Sequence, residues 1–162
     1  MNRLDLQKAV LEALKERRLT VATAESCTGG LVAGALTDRG GSSAVFKGGV
    51  VSYWTEVKRD VLGVSRETLD CYGAVSPQTA EEMAQRTRVL MGSDLGVSVT
   101  GVAGPDRDER GNPVGCVYLA LSDRAQTVVR RLPNPGTERG EIRRNAVEYA
   151  LRMILEYCSD HE

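Results

Sequence analysis

The sequence predicts an α/β fold, a three-layer α/β/α sandwich around a mixed, mainly parallel sheet. Three observations carry this prediction. Stretches with helical apolar spacing alternate along the chain with short β-branched runs. Two of those runs, Val114–Ser122 and Ala125–Leu132, adjoin across Asp123-Arg124 as a hairpin, which mixes an otherwise parallel pattern. The 162 residues contain no repeat, low-complexity segment or dividing linker, so one core of ordinary domain size is expected over residues 1–162.

Residues 3–17 place Leu6, Val10, Ala13 and Leu14 on one helical face. Thr20–Ala24 reads as a short buried strand, and Leu31–Leu36 as a compact helix after a Gly-rich turn. Arg39–Ser43 is a loop. Val45–Tyr53 is a strand interrupted at Gly48-Gly49, where a bulge or a close backbone approach is expected. Thr55–Leu62 and Ser65–Tyr72 are short helices. Ser76-Pro77 opens a longer one, with serine as N-cap and proline in the first turn, continuing through Met83, Ala84, Thr87 and Met91. Asp94–Thr100 alternates as a strand, and Gly101–Asn112 is a loop of glycine, proline and charges. After the hairpin, Pro133-Asn134-Pro135-Gly136 breaks the chain. A final helix then puts Ile142, Ala146, Tyr149, Met153 and Tyr157 on one face.

Composition narrows the function. The chain is 41% hydrophobic and 27% charged, in the range of globular proteins. It has no apolar run of the roughly 20 residues a membrane-spanning helix needs. The first dozen residues carry acids where a secretory leader would be apolar, so a cytoplasmic location is expected. With 21 basic and 22 acidic residues and seven aromatics, nothing calls for a nucleic-acid partner. Cys27, Cys71, Cys116 and Cys158 are widely spaced, with no metal or redox pattern. His161 is the sole histidine and sits next to last, where fraying is expected. Histidine-based triads and histidine-ligated metals are therefore not expected, and acid–base chemistry falls to Lys, Tyr, Asp, Glu or Cys.

Three segments can carry chemistry. Ala24-Glu25-Ser26-Cys27-Thr28-Gly29-Gly30 falls between a strand and a helix, where open α/β sheets bind ligands. Its glycines permit a tight turn, and the helix behind it offers N–H donors to a phosphate or an oxyanion. The segment is neither a Walker A loop nor a dinucleotide fingerprint, and it equally fits a helix cap built from Ser or Thr. Tyr53 ends a strand, with Lys58 five residues on. Only four lysines stand against 17 arginines, and without histidine a serine nucleophile needs a base such as a lysine of lowered pKa. A surface lysine beside Glu56 and Arg59 is the ordinary alternative. Ser98–Asp106 begins at a strand end and passes into a Gly/Pro turn, with Thr100 and Gly101 placed to line the same pocket mouth or simply to start a long connection.

Taken together, AESCTGG, the GGSS loop, GGVVSYWTEVK, YGAVS, TGVAGP and NPVGCVYLAL, in that order, resemble the CinA C-terminal domain family. The resemblance runs from about Leu6 to Cys158. Its enzymatic members are nicotinamide-nucleotide amidohydrolases, so it implies a three-layer α/β/α domain that deamidates nicotinamide mononucleotide. Carried over, Ser26 is the nucleophile and Tyr53 and Lys58 match the family's Y-x-x-x-x-K pair, with Lys58 taking the proton directly or through Tyr53. Backbone donors from Cys27, Thr28, Gly29 and Gly30 would form the oxyanion site, and Thr100 would line the pocket. Ser42, Ser43 and a nearby arginine are candidates for the substrate phosphate. The resemblance implies a small-molecule partner, a pyridine mononucleotide, with no metal and no cofactor. A homo-oligomer is left open by exposed apolar faces.

Two other readings compete. One is a nucleotide-binding or regulatory module that keeps the fold without turnover; the presence of Ser26, Tyr53 and Lys58 together favours the enzyme. The other is a metal-dependent phosphohydrolase of pyridine dinucleotides, which would need clustered carboxylates where this chain scatters its acids.

Overall fold

The computed structural model describes residues 1–160, and His161, the one histidine, lies outside the described residues. Helix α1 (Arg3–Arg17) leads into strand β1 (Val21–Glu25), helix α2 (Leu31–Thr37), a short 3₁₀ turn (Ser42–Ala44) and strand β2 (Phe46–Val51). Helix α3 (Thr55–Val57) runs straight into a π-helical turn, Lys58–Leu62, followed by α4 (Arg66–Tyr72) and α5 (Pro77–Met91). Strands β3 (Leu95–Gly101), β4 (Val117–Ser122) and β5 (Thr127–Arg131) precede the long α6 (Arg139–Asp160).

The five strands form one sheet in the order β2-β1-β3-β4-β5. β1 pairs in parallel with both β2 and β3, while β4 runs antiparallel to β3 and β5. β4 is thus the one reversed strand among the five, and the sheet is mixed as the hairpin predicted. The strands that pair in parallel, β1, β2 and β3, end on the same edge of the sheet.

Burial explains the layers. On β3, Leu95, Val97 and Val99 face a core shared with α1, α2 and α6. The alternate residues Gly96, Ser98 and Thr100 face the opposite layer, as the period of two requires. There α5 lies so close that a Cβ on Gly96 would run into the Ala84 carbonyl. Buried hydroxyls pin that helix to the sheet: Ser98 donates to Ala80 O at 2.6 Å and Thr87 to Thr23 O at 2.8 Å. The caps follow the sequence, with Ser65 and Ser76 accepting the third-residue amides of α4 and α5.

Three local features refine the sequence reading. The β1–β2 register shifts at Val21/Ala22, which sets a bulge at Lys47-Gly48, and Gly49 packs directly on Thr23. The predicted helix over 55–62 is α-helical only for its first turn. It then widens, with the Gly63 amide reaching back to Lys58 O, and such π turns recur at functional sites. β4 begins at Val117 rather than Val114, because Pro113–Cys116 closes a turn through Cys116 N–H to Pro113 O.

Candidate active site

The site is built where β1, β2 and β3 end. The Ser26 amide donates to Val99 O on β3 at 2.9 Å, which fixes the backbone of the loop after β1. Gly29 and Gly30 follow with φ of 58° and 102°, left-handed conformations that glycine adopts without a Cβ clash. The chain turns there into α2, and Ser26 is left only 8% exposed.

Lys58 enters from the π turn after β2. Its side chain is 1% exposed, and Nζ stands 2.8 Å from Ser26 Oγ, 2.6 Å from Ser52 O and 3.3 Å from Tyr53 O. No carboxylate pairs with it among the described residues. Burial lowers its pKa from the ordinary lysine value to about 8. A neutral amine has two N–H donors and one lone pair. Two carbonyls and one hydroxyl match that set, with the lone pair free to accept the Ser26 proton.

Cys27 sits beside this pair but is not activated. Burial pushes its thiol up to about 11, so it stays protonated and is a poor nucleophile. Of the three consecutive side chains in the loop, Ser26 is the one in contact with the Lys58 amine. Thr28 instead donates to Glu25 Oε1 at 2.7 Å.

Glu25 holds a role that the sequence reading missed. It is 1% exposed, and its carboxylate accepts the α2 amides of Val32 at 2.8 Å and Ala33 at 3.0 Å besides the Thr28 hydroxyl. The predicted serine or threonine cap of α2 is therefore replaced: the cap position is Gly30, and the helix N-terminus is occupied by the protein's own anion. That end of α2 is not open to a substrate phosphate.

The backbone donors narrow in the same way. The Gly29 amide is spent on Ser26 O, and the Leu31 amide on Thr28 O. Cys27, Thr28 and Gly30 carry the loop amides that remain for an oxyanion.

The other predicted residues divide. Tyr53 lies at the mouth, half exposed beside exposed Val51 and Trp54. Its hydroxyl contacts Arg139 Nη2 at 3.1 Å, and only its main-chain carbonyl faces Lys58. The Lys58–Ser26 contact is direct, so no gap exists for a phenol relay. Thr100 is fully buried and donates to Ala74 O at 2.6 Å, tying β3 to the turn before α5 instead of facing the mouth. Gly101 is there because a Cβ would strike Val117 on the paired strand. Ser42 and Ser43 lie at the opposite edge of the sheet. They precede β2, whose first residue pairs with Val21 at the start of β1, while Ser26 follows the end of β1. A loop that enters a parallel strand cannot share an edge with one that leaves its neighbour.

Two arginines on α6 complete the surroundings, unflagged individually by the sequence. Arg143 Nε donates to Cys27 O at 3.0 Å and Nη2 reaches Thr28 O at 3.4 Å. Arg139 donates to Gly104 O at 2.5 Å as well as contacting Tyr53. By contrast, a groove of about 500 Å³ between α5 and the β4–β5 hairpin holds none of the predicted residues and lies at the far edge of the sheet.

An α/β domain with a buried serine–lysine pair at its parallel-strand ends is thus defined. The CinA C-terminal domain family model matches residues 3–158, and the chain belongs to that family. It is 49% identical over 153 residues to a putative competence-damage inducible protein of Desulforudis audaxviator, and 45% over 150 residues to one of Bacillus subtilis. Those matches cover 94% and 93% of this chain but only 37% and 36% of the relatives, so the chain spans little more than a third of their length. Among solved structures, competence damage-inducible protein A of Klebsiella pneumoniae superposes with a TM-score of 0.95 at 37% identity over the whole of both chains. The competence/damage inducible protein CihA of Agrobacterium tumefaciens gives 0.88 at 43% identity, over 94% of this chain and 93% of that one.

Proposed function

We propose that this domain hydrolyses the carboxamide of nicotinamide mononucleotide to nicotinate mononucleotide and ammonia, with Ser26 as nucleophile and Lys58 as base. The observation that carries the reading is the 2.8 Å contact between Ser26 Oγ and a buried Lys58 Nζ that has no carboxylate partner. A lysine so placed loses its proton near pH 8, well below the ordinary lysine range, and its neutral form accepts that of the serine. The choice of substrate rests on the resemblance of AESCTGG and Y-x-x-x-x-K to the amidohydrolase members of the family.

In the first half-reaction the Ser26 proton passes to Lys58 as Oγ bonds to the carboxamide carbon. The carbonyl oxygen takes up negative charge, facing loop amides of Cys27, Thr28 and Gly30. Donors of this kind are worth about 3 kcal/mol each in comparable hydrolases. Lys58 then gives its proton to the amide nitrogen, the C–N bond breaks, and ammonia leaves an ester on Ser26. In the second half, water yields a proton to Lys58 and its oxygen attacks the ester. Lys58 returns that proton to Ser26 Oγ as the acid departs. Atoms and protons balance without another reactant.

The test is ammonia release from nicotinamide mononucleotide, with free nicotinamide as control. Release from the nucleotide alone supports the reading. No release, with thermal stabilisation by the nucleotide, replaces it with a binding module.

A further inference from the structure

We propose that Arg139 and Arg143, one turn apart at the start of α6, bind the phosphate of the substrate and so select nucleotides over simpler amides. This rests on the amidohydrolase reading above. Position comes first. Arg143 reaches the loop after β1 through Cys27 O and Thr28 O, and Arg139 reaches those after β2 and β3 through the Tyr53 hydroxyl and Gly104 O. Together they span the mouth above Ser26.

Charge is the second observation. Neither guanidinium has a carboxylate within ion-pair distance among the described residues, and neither does Lys58. The acids nearby are otherwise engaged: Glu25 is buried against α2, and Glu141 accepts the Thr137 amide at 3.0 Å. Two permanent cations, Arg139 and Arg143, therefore stand at one mouth with no carboxylate paired to either among the described residues. A confined cluster of that kind draws an anionic ligand.

Donor count is the third. A guanidinium carries five N–H groups in a planar fork suited to phosphate, and the hydrogen bonds made here use two on each arginine. The remainder can turn to a ligand, and Arg139 is already exposed. The other two anion sites that the sequence offered are closed to this role. The α2 N-terminus holds Glu25, and Ser42-Ser43 stand at the opposite sheet edge.

The experiment compares two substrates that differ only in the phosphate, nicotinamide mononucleotide and nicotinamide riboside, across wild type, Arg139→Gln, Arg139→Lys and Arg143→Gln. Charged hydrogen bonds of this sort change affinity by about 10- to 100-fold. The nucleotide-to-riboside ratio of kcat/KM should fall by that factor in Arg139→Gln, mainly through KM, and partly recover in Arg139→Lys. Equal losses on both substrates would mean that the arginines only hold the loops, and would overturn the inference; so would an unchanged ratio. Calorimetry with the nucleotide and with inorganic phosphate, on the Ser26→Ala protein, separates this inference from the parent reading. If wild type releases no ammonia, yet Ser26→Ala binds both ligands and Arg139→Gln abolishes that binding, the anion site stands and the amidohydrolase falls. Binding indifferent to Arg139, or no binding at all, overturns the site.

Discussion

Lys58→Met should expose what the buried base costs the fold. Lys58 is 1% exposed and its pKa falls from 10.5 to about 8, so the folded state resists its protonation. Between about pH 8 and 10.5 the unfolded chain holds a proton that the native lysine has lost, so stability rises with pH across that window. Below about pH 8 the penalty is present in full. At 1.36 kcal/mol per pKa unit it amounts to about 3 kcal/mol at pH 7 and less than about 1 at pH 10. Methionine keeps the stem, removes the charge, and leaves Ser52 O and Tyr53 O without their donor, at about 1–3 kcal/mol. That loss does not vary with pH. Cys27 titrates in the opposite sense, its stability contribution being lost as pH rises from 9 through about 11, so both proteins are compared in a Cys27→Ala background. Urea unfolding should show the variant gaining about 2–3 kcal/mol relative to its parent at pH 7 over the same comparison at pH 10. A difference that does not change with pH would refute the claim that Lys58 is desolvated.

Three further outcomes follow from the same geometry. Because only neutral Lys58 accepts a proton, kcat/KM should rise about tenfold per pH unit below pH 7 and level off above about pH 8; a profile flat from pH 6 to 9 would exclude it as the base. Glu25→Gln keeps the shape but removes the charge that caps α2 and accepts Thr28, so melting curves should show a loss of about 1–3 kcal/mol, and ammonia assays a drop in kcat greater than in KM. Tyr53→Phe should cost less than about tenfold in kcat, because its hydroxyl faces Arg139 and not Lys58; a loss equal to that of Lys58→Met would restore the phenol relay.

The layers, the hairpin and most helix ends were legible in the sequence because period and capping are local. Ser26 and Lys58, the pair proposed as nucleophile and base, came into view through the resemblance; the lack of an internal histidine narrowed the bases but left a helix cap and a surface lysine open. The remainder of the site was not local. Arg143 meets Cys27 across 116 positions, and nothing in the amphipathic pattern of α6 marks its first turn as facing a loop. Glu25 was in view within AESCTGG, but only the path of the chain shows that its carboxylate turns back to cap α2. Ser42 and Ser43 misled for a physical reason: a Gly-Ser loop has the composition of an anion cradle at either end of a strand. The parallel crossover from β1 to β2 did hold the corrective signal, because it must place their loop at the entry edge. Thr100 misled through burial, its hydroxyl being consumed by Ala74 O.

The most direct test is to quench turnover of nicotinamide mononucleotide with acid and weigh the peptide that carries Ser26, alongside ammonia release by Ser26→Ala. The account predicts a nicotinoyl-nucleotide ester on Ser26 and no release from the variant. Near-normal release from a folded Ser26→Ala protein, or an ester found on Cys27, would contradict it.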